Sequence, residues 1–259
     1  MTSVEKMLVN YNCNFNINST LHSTMRIILQ NLDKVSKMTI DELAQFCFTS
    51  PSTISRMVKT LGYKNYSSFQ AALADYLGGY YFHNMAITHA PHLKLDEQLK
   101  FLFDSELELI EQVRQRLDMD LLKKLSAQLH DSEYVAVFPY ADFLMEMPLQ
   151  CDLMFTGICC DIILDENAQL DYAKKLPRNT TSIIVAPYCL QGVSHTTSLL
   201  ELCGRNGNKT CVITSTDSVR NLDGADFLFA FDGKQSICDQ FAIQSILAAI
   251  KLTYRSMFL

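Results

Sequence analysis

The amino-acid sequence predicts a mixed fold, with an all-helical head followed by an α/β domain built on a five-stranded parallel sheet. Apolar residues recur at helical spacing through the first third of the chain, whereas short continuous apolar runs alternate with helical stretches beyond residue 118. Continuous apolar strands separated by helices are typical of a parallel sheet covered on both faces. We therefore expect a helical head over 1–77, a linker with a connecting helix over 78–117, and the α/β domain over 118–259.

The head is expected to contain four helices. The first covers 20–35, "TLHSTMRIILQNLDKV", which has one apolar face. A second begins at Thr39, because Thr39 and Glu42 form the T-x-x-E capping box, in which each side chain satisfies a free backbone N–H group. A fourth helix follows in "NYSSFQAALADYL" and is expected to end near Leu77.

The third helix carries the most informative pattern. Ser50 followed by Pro51 is a start signal, with a capping hydroxyl before a proline at the first helical position, and Gly62 is expected just past the end. Its apolar residues recur at helical spacing and should face the core: Ile54, Val58 and Leu61. The polar residues between them then point outward: Ser52, Arg56 and Lys59.

The rest of the chain changes character after 78–94, where periodicity is lost among Gly, Pro and His residues and a domain boundary is expected. Two helices follow, in "LDEQLKFLFDSELELIEQVRQRL" and "DLLKKLSAQL". The expected strands and the closing helix are YVAVF (134–138), GICCDIIL (157–164), SIIVA (182–186), KTCVIT (209–214), DFLFAF (226–231) and a helix over about 236–257.

Composition places the chain among folded proteins, with 48% hydrophobic and 19% charged residues in 259. No apolar run reaches the ~18 residues that would span a bilayer, and the first twenty residues lack a signal-peptide pattern, so we expect a cytoplasmic protein. The nine cysteines form no C-x-x-C pair and lie mostly in apolar segments, so we expect reduced thiols in the core, with the neighbours Cys159 and Cys160 buried in a strand. We expect no metal site, because the closest histidine pair, His89 and His92, lies in the polar connector.

Charge divides the chain unevenly. Residues 1–77 hold seven basic and five acidic residues, a net charge of +2, whereas the remainder holds fifteen basic and twenty-three acidic residues, a net charge of −8. An acidic surface repels phosphate backbones, so a contact with nucleic acid is expected only in the head.

Three short helices with a tight turn between the second and third describe a helix-turn-helix, whose last helix enters the major groove of DNA. Small hydroxyl side chains let this helix approach the DNA closely and can donate hydrogen bonds to phosphates. Arg56 can donate two hydrogen bonds to a guanine base, and Lys59 can contact the DNA phosphate backbone. An ordinary amphipathic helix with a solvated face is the alternative. The residues expected at double-stranded DNA are Thr39, Ser50, Ser52, Thr53, Ser55, Arg56 and Lys59.

The segment from about 20 to 77, with its "SPSTISR" to "LGY" spacing, resembles the helix-turn-helix of the RpiR/MurR family of bacterial sugar-responsive transcription regulators. The resemblance implies a DNA-binding head followed by a sugar-isomerase-type (SIS, flavodoxin-like) domain that dimerises, with pairing into a tetramer also open, and that senses a phosphorylated sugar. The order of elements from 118 onward is similar to that domain. Phe48 departs from the pattern, because it occupies a turn position where the family often has glycine.

A second departure concerns the effector. SIS domains that bind sugar phosphates carry Ser- and Gly-rich loops after their first and third strands, and here those loops read "FPYADF" and "APYCLQGVSHTT". We expect either a fold kept for assembly or a shifted site, and we expect ordinary sugar phosphates to bind weakly. The shifted site would use Ser194, His195, Thr196 and Thr197, and the full set of candidate effector residues adds Tyr140, Tyr188 and Gly192.

Two further functions stay open. A sugar-phosphate isomerase would need a general base near the third strand, for which Glu201 and His195 are the candidates. A helix-turn-helix would have no purpose in such an enzyme, so we expect neither catalysis nor a cofactor. The other possibility is a regulator that has lost ligand sensing and responds to a protein partner or to phosphorylation.

Overall fold

The computed structural model describes residues 3–13, 19–85, 93–139, 146–186, 193–217, 222, 224–233 and 238–259. The chain divides into two compact units, Met1–Met85 and Ala86–Leu259. Within the described ranges, no helix has the length and apolar character needed to cross a membrane.

The first unit, the head, is entirely helical in its described residues. Its helices are α1 (Ser3–Cys13), α2 (Thr20–Leu29), α3 (Leu32–Val35), α4 (Ile40–Phe46), α5 (Pro51–Thr60) and α6 (Tyr66–Met85). Helix α1 is absent from the sequence prediction, although its Val4 and Met7 are buried in the head core. The single helix expected over 20–35 is wrong, because the chain breaks at Asn31, whose side chain donates to the Ile27 carbonyl and offers the backbone an alternative to the helix.

Helix α6 fixes the position of the segment before α4. The hydroxyl of Tyr66 donates to the Met38 carbonyl at 2.8 Å, and the amide of Gln70 donates to the Met38 and Ser36 carbonyls. The expected end of this helix at Leu77 is wrong, because α6 runs on to Met85. The two residues after Leu77 are glycines, each of which lowers helix propensity by about 1 kcal/mol. A glycine does not by itself end a helix whose preceding turns are already formed.

The second unit alternates helices and strands, as expected. Its elements are α7 (Leu95–Arg116), α8 (Met119–His130), β1 (Tyr134–Phe138), α9 (Met147–Phe155), β2 (Cys159–Ile162), α10 (Glu166–Ala173), β3 (Thr180–Ala186), α11 (Val193–Cys203), a 3-10 turn (Arg205–Gly207), β4 (Lys209–Ser215), β5 (Phe227–Phe231) and α12 (Asp239–Phe258). Helix α7, which the sequence assigned to a linker, contributes Leu109 and Val113 to the core of this unit.

The five strands form one parallel sheet in the order β2-β1-β3-β4-β5. This is the flavodoxin-like order, and the prediction of a five-stranded parallel sheet is confirmed. The central strand β3 is buried at all seven positions and pairs with β1 through Val137 and Ile183. Strands covered on both faces read as continuous apolar runs, which is why the sequence predicted them.

Helices cover both faces of the sheet. Val135 and Val137 of β1 pack into the core formed with α7, α8, α9 and α12, whereas Ala136 and Phe138 pack into the core formed with α10 and α11. The alternation follows from the two-residue period of a strand. Each large apolar side chain buried in this way contributes about 1.5–3 kcal/mol.

None of the seven cysteines whose side chains the structure describes belongs to a disulfide bond. Cys151 and Cys159 are exposed, so the prediction that Cys159 is a buried strand residue is wrong. Cys159 opens the edge strand β2, where one side is uncovered, whereas the next residue, Cys160, points into the core. Burial raises the pKa of Cys160 to about 12 and that of Cys203 to about 11, so these thiols are protonated near neutral pH.

Candidate functional site

The first candidate site is the beginning of α5 in the head. Ser50 caps this helix, and its Oγ atom accepts a hydrogen bond from the backbone nitrogen of Thr53 at 3.3 Å. The hydroxyls of Ser52 and Thr53 lie 2.8 and 3.0 Å from the same oxygen. A cluster of small hydroxyls therefore stands at the electropositive end of α5, where anions are favoured.

The turn before α5 is closed by two backbone hydrogen bonds. The Phe48 nitrogen donates to the Gln45 carbonyl at 3.1 Å, and the Thr49 nitrogen donates to the Ala44 carbonyl at 2.9 Å. This pattern is a Schellman motif, whose residue after the helix cap takes a left-handed conformation. Phe48 occupies that position with φ +53°, so the chain keeps a turn that suits glycine without having glycine there. Gly62 plays the same part after α5, as predicted, with φ +85°.

The burial of α5 agrees with the predicted orientation. The apolar residues Ile54, Val58 and Leu61 are buried, and Met57 is buried with them. Ser52, Arg56 and Lys59 are exposed, and Thr53 and Ser55 are half-buried. The side chains of Arg56 and Lys59 form no hydrogen bond or ion pair with other described residues of the head. Two cations are therefore presented to solvent by the helix that would face DNA.

Thr39 is held by its helix cap. The Glu42 nitrogen donates to the Thr39 hydroxyl, and that hydroxyl donates to the Glu42 carboxylate at 2.9 Å. The Thr39 backbone nitrogen donates to the same carboxylate at 2.7 Å and is the main cause that lowers the pKa of Glu42. A hydroxyl has one hydrogen to donate, so the Thr39 hydroxyl cannot also donate to a phosphate while it donates to the Glu42 carboxylate.

The second candidate site lies at the carboxyl ends of β1 and β3 in the second unit. A small cavity of about 30 Å³ opens there between these strands and the beginning of α11. Ligands of open parallel sheets bind at this edge, where neighbouring connections leave on opposite faces. The described residues that line the cavity are Phe138, Pro139, Gln169, Ile184, Val185, Ala186, His195, Thr196 and Leu199.

Gln169 organises this cavity. Its amide nitrogen donates to the carbonyls of Pro139 at 3.1 Å and Ile163 at 3.0 Å, and its Oε1 atom lies 3.0 Å from Nε2 of His195. The opposite amide orientation would set Oε1 against two carbonyl oxygens. Oε1 is therefore the acceptor and Nε2 of His195 carries the hydrogen, which leaves Nδ1 of a neutral ring as an acceptor.

Three of the predicted effector residues meet in the first turn of α11: His195, Thr196 and Thr197. His195 and Thr196 line the cavity, and the buried Oγ1 atom of Thr197 has no hydrogen-bond partner within the described ranges. Ser194 belongs to α11, but its side chain lies outside the described residues, as do Tyr140, Tyr188, Gly192 and the pair His89 and His92. The described lining contains no Lys or Arg.

Glu146 stands between β1 and α9, directly before the first residue of α9. Its side chain is 2% exposed, and its Oε2 atom has no hydrogen-bond partner among the described residues. Burial raises the pKa of Glu146 to about 7. Within the described part of the chain, no group of His, Cys, Asp and Glu residues could hold a metal ion.

The fold and the two candidate sites define a class of protein, in which a helix-turn-helix head is joined to a SIS-type α/β domain. The head belongs to a known family, because residues 18–79 match the model of the helix-turn-helix domain of the rpiR family. The head is therefore that of an RpiR-type transcription regulator. Curated protein sequences yielded no match to the chain.

Three solved structures similar to this one come from different bacteria. The Vibrio vulnificus NanR protein complexed with ManNAc-6P is 16% identical over 97% of this chain and 91% of that chain, with a TM-score of 0.49. The sugar isomerase domain of an RpiR transcription factor from Sphaerobacter thermophilus is 14% identical over 61% and 88%, with a TM-score of 0.49. A proposed sugar-phosphate isomerase from Listeria monocytogenes is 11% identical over 64% and 92%, with a TM-score of 0.51. The last similarity supports the SIS-type fold of the second unit.

Proposed function

We propose that the protein is a DNA-binding transcription regulator of the RpiR type that controls carbohydrate-related genes. The observation that carries the proposal is the outer face of α5, where Arg56 and Lys59 are exposed without ion-pair partners among the described residues, inside a helix-turn-helix domain. Exposed cations on a helix that enters the major groove are placed to contact phosphates and guanine edges.

The geometry of α5 suggests a role for each residue. Arg56 lies in the second turn, where a guanidinium reaches the O6 and N7 atoms of guanine. Lys59 lies one turn further on and is suited to a phosphate. Ser52 and Thr53 stand at the helix start, where small hydroxyls permit close approach and donate to phosphate oxygens, and Ser55 lies half-buried beside them. Ser50 and Thr39 act through the helix caps that orient α5 and α4.

The protein is proposed to act as a dimer, because one head with a net charge of +2 makes few phosphate contacts and two linked heads bind at raised effective concentration. Helix α7 of the second unit supplies a surface for this. Five of its six large exposed apolar residues lie three or four positions apart and form one stripe, whereas Phe101 lies outside it. We call these five residues the α7 stripe: Leu95, Leu99, Phe103, Leu107 and Ile110. A stripe along a helix about 33 Å long can pair with its own copy across a two-fold axis.

A second copy is the occupant that best fits the α7 stripe. Operators of helix-turn-helix proteins are commonly palindromic, so the protein that reads them carries two-fold symmetry. Charged residues of both signs border the stripe, including Lys100 and Asp104, which form an ion pair at 2.7 Å. The stripe lies N-terminal to the 118–259 region first expected to carry dimerisation, but within the same compact unit.

The carboxyl edge of the sheet beside α11, where the small cavity opens, is proposed to bind a small carbohydrate-derived effector. Its described polar groups are one imidazole, one amide and one hydroxyl, on His195, Gln169 and Thr196. The Gln169 amide hydrogens are already donated to the Pro139 and Ile163 carbonyls. The groups left for the hydroxyls of a sugar are therefore Nδ1 of His195 and the Thr196 hydroxyl. A dianionic phosphate would need several donors or a cation to replace its water, and the described lining has neither Lys nor Arg. The proposed effector is therefore less charged than a hexose phosphate, or it places its charge near 194–197.

An isomerase role has less support. Glu201 and His195, the two candidate bases, lie six residues apart on α11 and so point about 120° apart around the helix. Glu201 is exposed, whereas His195 turns toward Gln169. The two side chains therefore do not converge on one reacting atom, and a regulatory role suits the head.

The experiment that tests the proposed function is selection of genomic DNA fragments by the full-length protein, followed by footprinting. The expected result is enrichment of a small set of fragments that share a sequence and lie beside genes of carbohydrate metabolism. The Arg56→Ala variant is the matched control, because its fold should be unchanged and its enrichment of those fragments should be lost. Equal recovery of all fragments by both proteins would contradict specific recognition.

A further inference from the structure

The turn between α4 and α5 holds a bulky residue in an unfavourable backbone conformation. Phe48 has φ +53° and is 93% exposed. The other described non-glycine residue with positive φ is Asn179, a residue type that tolerates this region. A bulky side chain at positive φ is a genuine outlier, and such outliers concentrate at functional sites.

The head itself gains nothing from this ring. A side chain that is 93% exposed removes almost no apolar surface from water, so burial does not offset the backbone strain. Glycine would keep both hydrogen bonds of the Schellman motif at lower conformational cost. The presence of phenylalanine therefore calls for a partner outside the described head.

The surroundings of the ring indicate which partner this is. Phe48 lies three residues before Pro51, at the end of α5 that carries the hydroxyls of Ser50 and Ser52. Leu8 of α1 is the other large exposed apolar residue described in the head, so Phe48 is not part of an apolar patch of the kind that docks proteins. The residues that follow Phe48 along the chain carry hydroxyls and then, on α5, the exposed cations Arg56 and Lys59, which is the chemistry of a surface that meets DNA.

We propose that Phe48 packs against an apolar surface of the operator DNA, at the edge of the half-site that α5 reads. The two apolar surfaces within reach of a major-groove helix are the 5-methyl group of thymine and the carbon face of deoxyribose, and phenylalanine is a known partner of the former. This inference rests on the proposed function, because it assumes that α5 faces DNA.

The test uses the full-length protein and an operator obtained by fragment selection. The variants are Phe48→Gly and Phe48→Tyr. Leu8→Ala is the control, because Leu8 is an exposed apolar residue on α1, away from the turn in sequence. Phe48→Gly is expected to raise the melting temperature of the head and yet to weaken operator binding about tenfold, equivalent to ~1.4 kcal/mol. Phe48→Tyr retains the ring and should bind like the wild type, as should Leu8→Ala.

A second arm identifies the apolar surface. Replacing thymines at the half-site edge by uracil removes only their methyl groups. If uracil weakens operator binding by the wild type but not by Phe48→Gly, the ring contacts thymine. If each protein binds the thymine and uracil operators equally well and Phe48→Gly still binds both more weakly than the wild type, the ring contacts deoxyribose.

The outcomes separate this inference from the proposed function. If Phe48→Gly is more stable and binds the operator as tightly as the wild type, the ring does not touch DNA and the inference is overturned, while the function stands. If the wild type selects no DNA sequence and Arg56→Ala behaves identically, the proposed function fails and this inference fails with it.

Discussion

Nε2 of His195 lies 3.0 Å from Oε1 of Gln169, and this contact joins α11 to α10 beneath the carboxyl ends of β1 and β3. Because Gln169 also donates to the carbonyls of Pro139 and Ile163, one buried side chain connects the segments that follow β1 and β2 with the first turn of α11. The position and tautomer of His195 are therefore set by a residue outside its own helix.

Gln169→Ala is expected to destabilise the second unit by about 1–3 kcal/mol, because two buried carbonyls and the imidazole would lose their partner. Urea unfolding of the full-length protein, followed by circular dichroism, measures this. Gln244→Ala is the matched control, since Gln244 is exposed on α12 and should change stability by less than about 0.5 kcal/mol. Equal effects of the two variants would show that Gln169 has no organising role.

Glu146→Gln is expected to stabilise the second unit in a pH-dependent way. Burial raises the pKa of Glu146 from 4.5 to about 7, so ionisation is disfavoured in the folded state. The free energy that ionised Glu146 costs the folded state is absent below its unfolded pKa of 4.5 and grows as the pH rises toward its folded pKa of about 7. Above that pH it reaches its full value of roughly 3 kcal/mol. The melting temperature of Glu146→Gln should therefore exceed that of the wild type by an amount that grows from pH 5 to pH 8. The exposed Glu133→Gln control should show no such trend, and a gain equal at both pH values would refute the assignment.

Ordinary hexose phosphates and amino-sugar phosphates are expected to bind weakly or not at all. The described lining offers a phosphate no cation, and Glu146 adds a buried carboxyl to the connection after β1. Calorimetric titration with a panel of phosphorylated and neutral sugars decides the question. A micromolar dissociation constant for a phosphosugar, abolished by Ser194→Ala or Thr196→Val, would overturn this prediction.

Leu107→Arg is expected to convert a dimer into a monomer, because it places a charge in the middle of the α7 stripe. Leu107 is 67% exposed in the single chain, so the change should leave folding intact. Leu252→Arg on α12 is the control, with a residue 69% exposed and outside the stripe. Sedimentation at micromolar concentration measures both. A monomeric wild type would contradict the proposed dimer, and dissociation by Leu252→Arg alone would move its interface to α12.

The sequence predicted the framework of the fold because burial on both faces leaves a clear trace. Strand β1 has the expected bounds, and β3 begins two residues earlier than expected, at Thr180. Thr180 and Thr181 are polar residues that are nevertheless buried, because their hydroxyls bond to the Pro177 carbonyl and to Ser132. A hydropathy pattern does not predict that a threonine will be buried because its hydroxyl finds a hydrogen-bond partner in the fold.

Other features depended on contacts between distant residues. Helix α1 has mixed polarity and owes its place to the packing of Val4 and Met7 in the head core. Gln169 reads as an ordinary polar residue of a short helix, and only the fold brings it to Pro139, 30 positions away. Phe48 was visible as a departure from the family pattern, but its positive φ and full exposure required the structure.

The central claim, that α5 reads DNA, is tested most directly by operator affinities of Arg56→Ala and Lys59→Ala across base substitutions and salt concentrations. Arg56→Ala should cost ~1–3 kcal/mol at the operator and relax preference at one base position. Lys59→Ala should weaken all sequences alike and reduce the salt slope by about one. Equal, sequence-independent losses for both variants, or no loss for either, would contradict the account.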